Sequence, residues 1–175
     1  SSHRGESFHI TELKKWLRKV SIDKKDLKCG VHYPLNLKAN KNVLKSNINV
    51  DQLYNNCAGK HLGMITSCIV NNFNTKNYLS FKHPHQKRIR KVFERFSGKK
   101  IIKKNYAVDG CSAPQYSFKI KDISKILANL NRSYFGEFEN SCETKILINS
   151  IINNPNYIGG TDSLDSRVMR ISNKK

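Results

Sequence analysis

The chain has 175 residues, 38% of them hydrophobic, and a formal net charge of +19 from 32 Lys and Arg against 13 Asp and Glu. That length suits one domain with a real core, here taken as residues 1–175, and excludes two of ordinary size. No apolar run reaches the ~20 residues that a membrane-spanning helix needs, and the polar, basic start is not that of a secretory signal.

From the N-terminus, Ser2-His3-Arg4-Gly5-Glu6 reads as a turn, and the start at Ser1 leads us to expect an upstream portion. Ile10, Leu13, Trp16, Leu17 and Val20 recur at three- and four-residue intervals, which predicts a helix with Thr11 as cap. Ser21 to Leu27 predicts a second helical turn capped by Ser21. Cys29-Gly30-Val31-His32-Tyr33-Pro34 is a loop, and Lys38 to Asn49 is polar enough to hold a short exposed helix or nothing regular. Leu62, Ile65, Ile69 and Phe73 predict a largely buried helix beginning near Ala58.

Pro84, in His83-Pro84-His85-Gln86, suits a first helical position. Ile89, Val92, Phe93 and Phe96 then give an amphipathic helix whose solvated face is Lys87, Arg88, Arg90 and Lys91. Ile101 to Val108 reads as extended. Ile120, Ile123, Ile126, Leu127 and Leu130 form a further apolar stripe, followed by a last helix through Ile146, Leu147 and Ile151 that stops at Asn153-Asn154-Pro155. Gly159-Gly160 opens a turn before a polar tail. Five or six helices and very little strand are expected, with no internal repeat and no linker.

The charge follows no local patch. Lysine, asparagine and isoleucine are enriched together along the whole chain, so generic attraction to polyanions follows from the composition, and no function does. Interleaved surface aromatics, a helix-turn-helix signal and a zinc-finger pattern are all missing, which argues against specific nucleic-acid binding. The competing reading is a basic, non-enzymatic nucleic-acid-binding module, or a decayed remnant without activity. The odd set of five cysteines, without a Cys-x-x-Cys pair, suits free thiols in a reducing cytoplasm.

Chemistry concentrates in two stretches. Asn55-Asn56-Cys57-Ala58-Gly59-Lys60-His61-Leu62-Gly63 packs a thiol, an amine and an imidazole into five residues. If a helix starts at Ala58, Cys57 and Lys60 project from the same end of it. Asp109-Gly110-Cys111-Ser112-Ala113-Pro114 adds a second thiol beside a carboxylate. Two thiolates suit zinc, and a nitrogen can complete the set once zinc displaces the lysine proton. The alternative is two buried, inert cysteines and an ordinary turn aspartate. His61 can serve as a base or as a hydrogen-bonded structural histidine, and Ser2 as a nucleophile or a loop serine.

In order and with these gaps, the segments resemble the serine-type L-asparaginases with a β-lactamase-like fold, the asparaginase II family. The resemblance runs through nearly the whole chain, including Gly30 to Pro34, Tyr78-Leu79 and Gly159-Gly160. It implies an α+β protein, of which this chain covers mainly the helical region and lacks much of the sheet. It implies hydrolysis of the small molecule L-asparagine to L-aspartate and ammonia, with a homodimer as the assembly allowed for. Ser2 matches the nucleophile, Cys57, Lys60 and Cys111 match the zinc ligands, and Asp109 matches the acidic residue beside them. Asn56 and His61 match motif positions near the substrate or behind the ligands. The family carries an activating Ser-x-x-Lys ahead of the position of Ser2, so the 175 residues are expected to be inactive or weakly active alone. Thr161-Asp162 stands after Gly159-Gly160 where the family often has a basic residue soon after.

Overall fold

A computed structural model describes residues 3–172. Among these, the helices are α1 (Ser7–Val20), α2 (Leu37–Lys45), α3 (Ala58–Val70), α4 (Pro84–Ser97), α5 (Ile120–Phe135), α6 (Ser141–Asn153), α7 (Pro155–Gly159) and α8 (Leu164–Ser172). Two short strands, β1 (Tyr106–Val108) and β2 (Pro114–Tyr116), complete the set. The mostly helical content with one small sheet is compatible with part of an α+β fold. The chain divides into two compact units, residues 1–76 with 154–175, and residues 77–153. No helix of the described residues is long and apolar enough to cross a membrane.

In the first unit, α1 buries Ile10, Leu13 and Leu17 at the predicted spacing and packs on α3 and on the 3-10 turn Gln52–Tyr54. Its start lies earlier than Thr11. Glu6 is the N-cap, and Thr11 Oγ1 instead donates to Ser7 O inside the helix (3.0 Å). Ser21 does not open a second helix but ends α1 in the left-handed region (φ 55°). The following 3-10 turn, Lys24–Asp26, is capped by Asp23, whose carboxylate accepts from Lys25 N–H (2.8 Å). The polar 38–49 stretch holds α2, because Asn36 Oδ1 accepts from Ala39 N–H (2.9 Å) and so supplies a first-turn cap. α3 is apolar on most of its surface, with Ala58, His61, Leu62, Met64, Ile65 and Cys68 buried. The expected polar tail is also helical. α7 packs on α8, and buried Ser166 Oγ lies 2.8 Å from Pro155 O and 2.6 Å from Gly160 O.

In the second unit, Pro84 takes the first position of α4, and the cap is the ring of His83, whose Nδ1 accepts from His85 N–H (3.2 Å). The basic face differs from expectation at one residue. Arg90 is buried, donating to Phe81 O (2.7 Å) with its guanidinium 3.8 Å from the centre of the Phe81 ring. Burial of the flat cation on an aromatic face replaces the hydration it gives up. β1 and β2 pair antiparallel, with Tyr106 opposite Tyr116 and Val108 opposite Pro114.

α5 turns part of its predicted stripe outward, Ile120, Ile123 and Leu127 being exposed while Ile126 and Leu130 stay half-buried. Ile120 is 84% exposed and Leu127 60%, whereas Asp122, Asn129 and Ser133 are buried. The buried side chains are small and bonded across the helix contacts. Asn129 Nδ2 donates to Phe96 O of α4 (2.8 Å), and Ser133 Oγ donates to Glu139 O (2.6 Å) and shares a hydrogen bond with Thr144 Oγ1 of α6 (2.8 Å). Satisfied polar groups of this size let α5 approach both α4 and α6 closely, so the seam carries polar bonds beside the half-buried Ile126 and Leu130, and Ile120, Ile123 and Leu127 face outward. We expect Asn129→Ala to cost about 1–3 kcal/mol, because it strands the buried Phe96 carbonyl, and Leu127→Ala to stay within about 0.5 kcal/mol. Urea denaturation of the two variants checks this, and the opposite ranking would refute the buried polar seam.

Candidate functional site

The first half of the candidate site is set by two asparagines. Asn55 is buried, its Nδ2 donating to Cys29 O (2.7 Å) and its Oδ1 accepting from Cys57 N–H (2.8 Å). Asn56 is held through its backbone. Its N–H donates to His32 Nε2 (3.0 Å) and its carbonyl accepts from His3 N–H (3.2 Å). Cys57 follows as the N-cap of α3, with His61 N–H donating to its carbonyl (3.1 Å). Cys57 and Lys60 are both half-buried and one helical turn apart, so they share a face at the positive end of the helix. His61, the neighbour of Lys60, is fully buried.

The second half folds around a carboxylate. Asp109 Oδ1 accepts from Cys111 N–H and from Ala113 N–H (both 2.9 Å), while Oδ2 accepts from Gln115 Nε2 (3.0 Å). The backbone closes the same turn, with Asp109 N–H donating to Ala113 O (3.0 Å) and Ser112 in the left-handed region (φ 67°). Cys111 is buried within it. Cys57 and Lys60 belong to the first unit, Asp109 and Cys111 to the second. Ser2, the expected nucleophile, lies outside the described residues. Among the described residues no three His, Cys, Asp or Glu side chains gather as a metal-holding group. Of the expected set only Cys57 and Cys111 are residues of these types, the third expected donor being the Lys60 amine.

The L-asparaginase II family model matches the chain over residues 1–175. The chain belongs to the L-asparaginase II family. Membership makes it, in general terms, an asparaginase-like amidohydrolase with a small-molecule substrate. No curated protein matches the chain.

Within this L-asparaginase II chain, sequence reasoning overlooked the two histidines nearest Ser2. His3 Nδ1 accepts from Gly5 N–H (3.1 Å) and His9 Nδ1 from Glu6 N–H (3.2 Å), so in both rings the proton sits on Nε2. His9 Nε2 donates to Asn156 O (3.0 Å), whereas His3 Nε2 is buried with no partner. The two rings stack 4.9 Å apart. A cavity of about 550 Å³ opens beside them, lined by Leu13, Trp16, Gly59 and Tyr157 among others. The only sequence signal was a histidine three residues into a helix, where a capping-box side chain stands.

Burial, with the charges of His9 and His32 adding to it, pushes the His3 pKa down to about 3. Burial also lowers that of His9, and that of His85, both of whose ring nitrogens are buried without a partner. The unfolded chain therefore takes up protons first as the pH falls. Stability is full above the unfolded histidine value of about 6.5 and declines toward about 3. We expect the folded state to lose about 2–3 kcal/mol through His3 between pH 6.5 and 4.5. Denaturation curves at both pH values check this, with His3→Asn as comparison. The Asn Oδ1 stands where Nδ1 does and can still accept from Gly5 N–H, so the variant should show a clearly smaller loss, and an unchanged loss would count against His3.

Proposed function

We propose that this chain hydrolyses L-asparagine to L-aspartate and ammonia through a serine nucleophile, on a β-lactamase-like fold. The observation that carries the reading is the match to the L-asparaginase II family over residues 1–175. The ordered Ser2, Cys57-Lys60 and Asp109-Cys111 motifs support it.

In this reading Ser2 Oγ attacks the side-chain amide carbon of asparagine. The Oγ–C bond forms, the C–N bond breaks, and the serine proton passes through a base to the departing nitrogen. Water then adds to the ester, releasing aspartate and returning the proton to Ser2. The donor set suits zinc, two thiolates and one nitrogen being a tetrahedral zinc set with one position left open. Cys57, Lys60 and Cys111 would hold it, and when bound it would support substrate binding and site geometry. The proposal requires Lys60 to be neutral, so metal uptake releases a proton and weakens as the pH falls. Asp109 has the role of fixing the turn that presents Cys111. Asn56 and His61 stand beside the ligand helix and help to hold its start. We propose a reducing cytoplasm as the setting, in keeping with an odd set of five cysteines without a Cys-x-x-Cys pair.

The base in this reading is the lysine of a Ser-x-x-Lys segment ahead of the position of Ser2. We therefore propose that the 175 residues alone release ammonia weakly or not at all, and that a longer product in which a Ser-x-x-Lys segment precedes Ser2, where there is one, is the form to compare with them. Ammonia release from L-asparagine by both forms, together with their zinc content, tests this. About one zinc per chain is expected, dropping severalfold in Cys57→Ala and in Cys111→Ala. Full zinc content in both variants would refute the metal assignment. Absence of ammonia release by the longer product would refute the hydrolase reading.

A further inference from the structure

Two motifs are left over by that mechanism, the Arg4-Gly5-Glu6 end of the first turn and the Gly159-Gly160 pair. They meet. Glu6 Oε1 accepts from Thr161 N–H (2.9 Å) and Oε2 from Thr161 Oγ–H (2.5 Å), joining positions 6 and 161 of the sequence. Gly160 (φ +99°) is required there, because a Cβ would lie 2.5 Å from Glu6 Oε1 and 3.2 Å from the Arg4 stem. Arg170 closes the far side, bonding both Thr161 O (3.0 Å) and Asn156 Oδ1.

The turn on the near side is bonded at each residue from 3 to 6. His3 N–H reaches Asn56 O (3.2 Å), Arg4 O accepts from Asn36 N–H (2.9 Å), and Gly5 N–H closes onto His3 Nδ1 (3.1 Å). Gly5 (φ +71°) backs onto Pro34, where a Cβ would lie 2.9 Å from Pro34 Cα. Glu6 is the only one of the four whose side-chain carboxylate makes the attachment.

We propose that Glu6 is a positioning residue. Its carboxylate, gripping Thr161, fixes the His3–Glu6 turn, which adjoins Ser2 in sequence. This rests on the reading of Ser2 as nucleophile, and it gives Thr161 an attachment role in place of substrate contact.

The test uses Glu6→Ala, Glu6→Gln and Thr161→Ser, with kinetics on whichever form, the 175 residues or the longer product, releases ammonia. In Glu6→Ala, kcat should fall roughly 10- to 100-fold while KM stays within about threefold, the pattern of a misplaced reacting group. The ¹⁵N signal of His3 Nδ1, held by Gly5 N–H at the unprotonated acceptor position, should move toward the tautomer average. Thr161→Ser keeps both donors and should match the parent, and Glu6→Gln, which keeps one good acceptor, should fall between. Wild-type kcat in Glu6→Ala overturns the proposal. A fall in kcat with the His3 signal unmoved overturns it too, since Glu6 would then act elsewhere. If neither form releases ammonia, the hydrolase reading fails on its own, and the His3 signal still decides whether Glu6 holds the turn. Should Glu6→Ala fail to fold, the same two readouts on Glu6→Gln decide.

Discussion

The first unit depends on closing a very long loop. Its residues come from both ends of the described chain, and what brings them together is a short set of contacts around Glu6 and His9. Closure entropy grows only with the logarithm of loop length, about 0.6 kcal/mol per doubling, so length itself is a modest obstacle. Precision is harder. Two hydrogen bonds from one residue to one carboxylate, and a third from His9 to Asn156, define both distance and rotation. Phe8 and Tyr157 add an edge-to-face ring contact at 5.4 Å, which contributes apolar area beside the polar ties. Glycine at 160 (φ +99°) belongs to this closeness, since a Cβ there would press on the Glu6 carboxylate, whereas Gly5 (φ +71°) answers to Pro34.

A second constraint follows from composition. The chain has only 13 acidic residues among 175, so few carboxylates stand ready to accept from backbone N–H groups at turns. Imidazole takes that place. Of six histidines, His3, His9, His32 and His83 each accept a backbone N–H, from Gly5, Glu6, Asn56 and His85. A ring nitrogen can accept only when unprotonated, and at His3 and His9, where burial lowers the pKa, bond and burial both favour the neutral ring. In a chain of net charge +19 this arrangement avoids adding further positive charge at buried turns. It also commits these histidines to structure, which leaves proton transfer in the proposed reaction to other groups.

The sequence was most legible where the determining contacts are local. Leu62 and Ile65 announced α3, Pro84 announced the start of α4, and the Cys57–Lys60 spacing put both side chains on one helix face. It misled at α5, since periodicity identifies residues that share a face without saying which face turns inward. Asp122, Asn129 and Ser133 share a face as regularly as Ile120, Ile123 and Leu127 do, and partners on α4 and α6 decided between them. Arg90 was misread for a related reason. Its inward position depends on Phe81, nine residues earlier and outside the helix. Thr161 and Glu6 carry no mutual signal in sequence, and a resemblance that looked for a basic residue near Thr161 pointed away from the contact.

Asp109 marks where local and chemical readings converge. Its alternatives were an ordinary turn aspartate or an acidic residue of the site, and the bonds it makes are those of the turn, which the proposed site would use to present Cys111. Oδ1 accepts from two backbone N–H groups and Oδ2 from Gln115, so the carboxylate shapes the Asp109–Ala113 turn from within. Because one of those N–H groups belongs to Cys111, the carboxylate sets the direction from which that thiol leaves the backbone. An amide at this position would keep one acceptor oxygen but would point a donor at Gln115 Nε2, so the turn selects for the charged form or for rearrangement of Gln115. In the proposed L-asparaginase site, placement of the Cys111 thiolate thus becomes a property of a five-residue turn, just as placement of Cys57 is a property of the Asn55 cap. Each thiol is oriented by a neighbour two residues before it, through the same bond from its own backbone N–H to a side-chain oxygen.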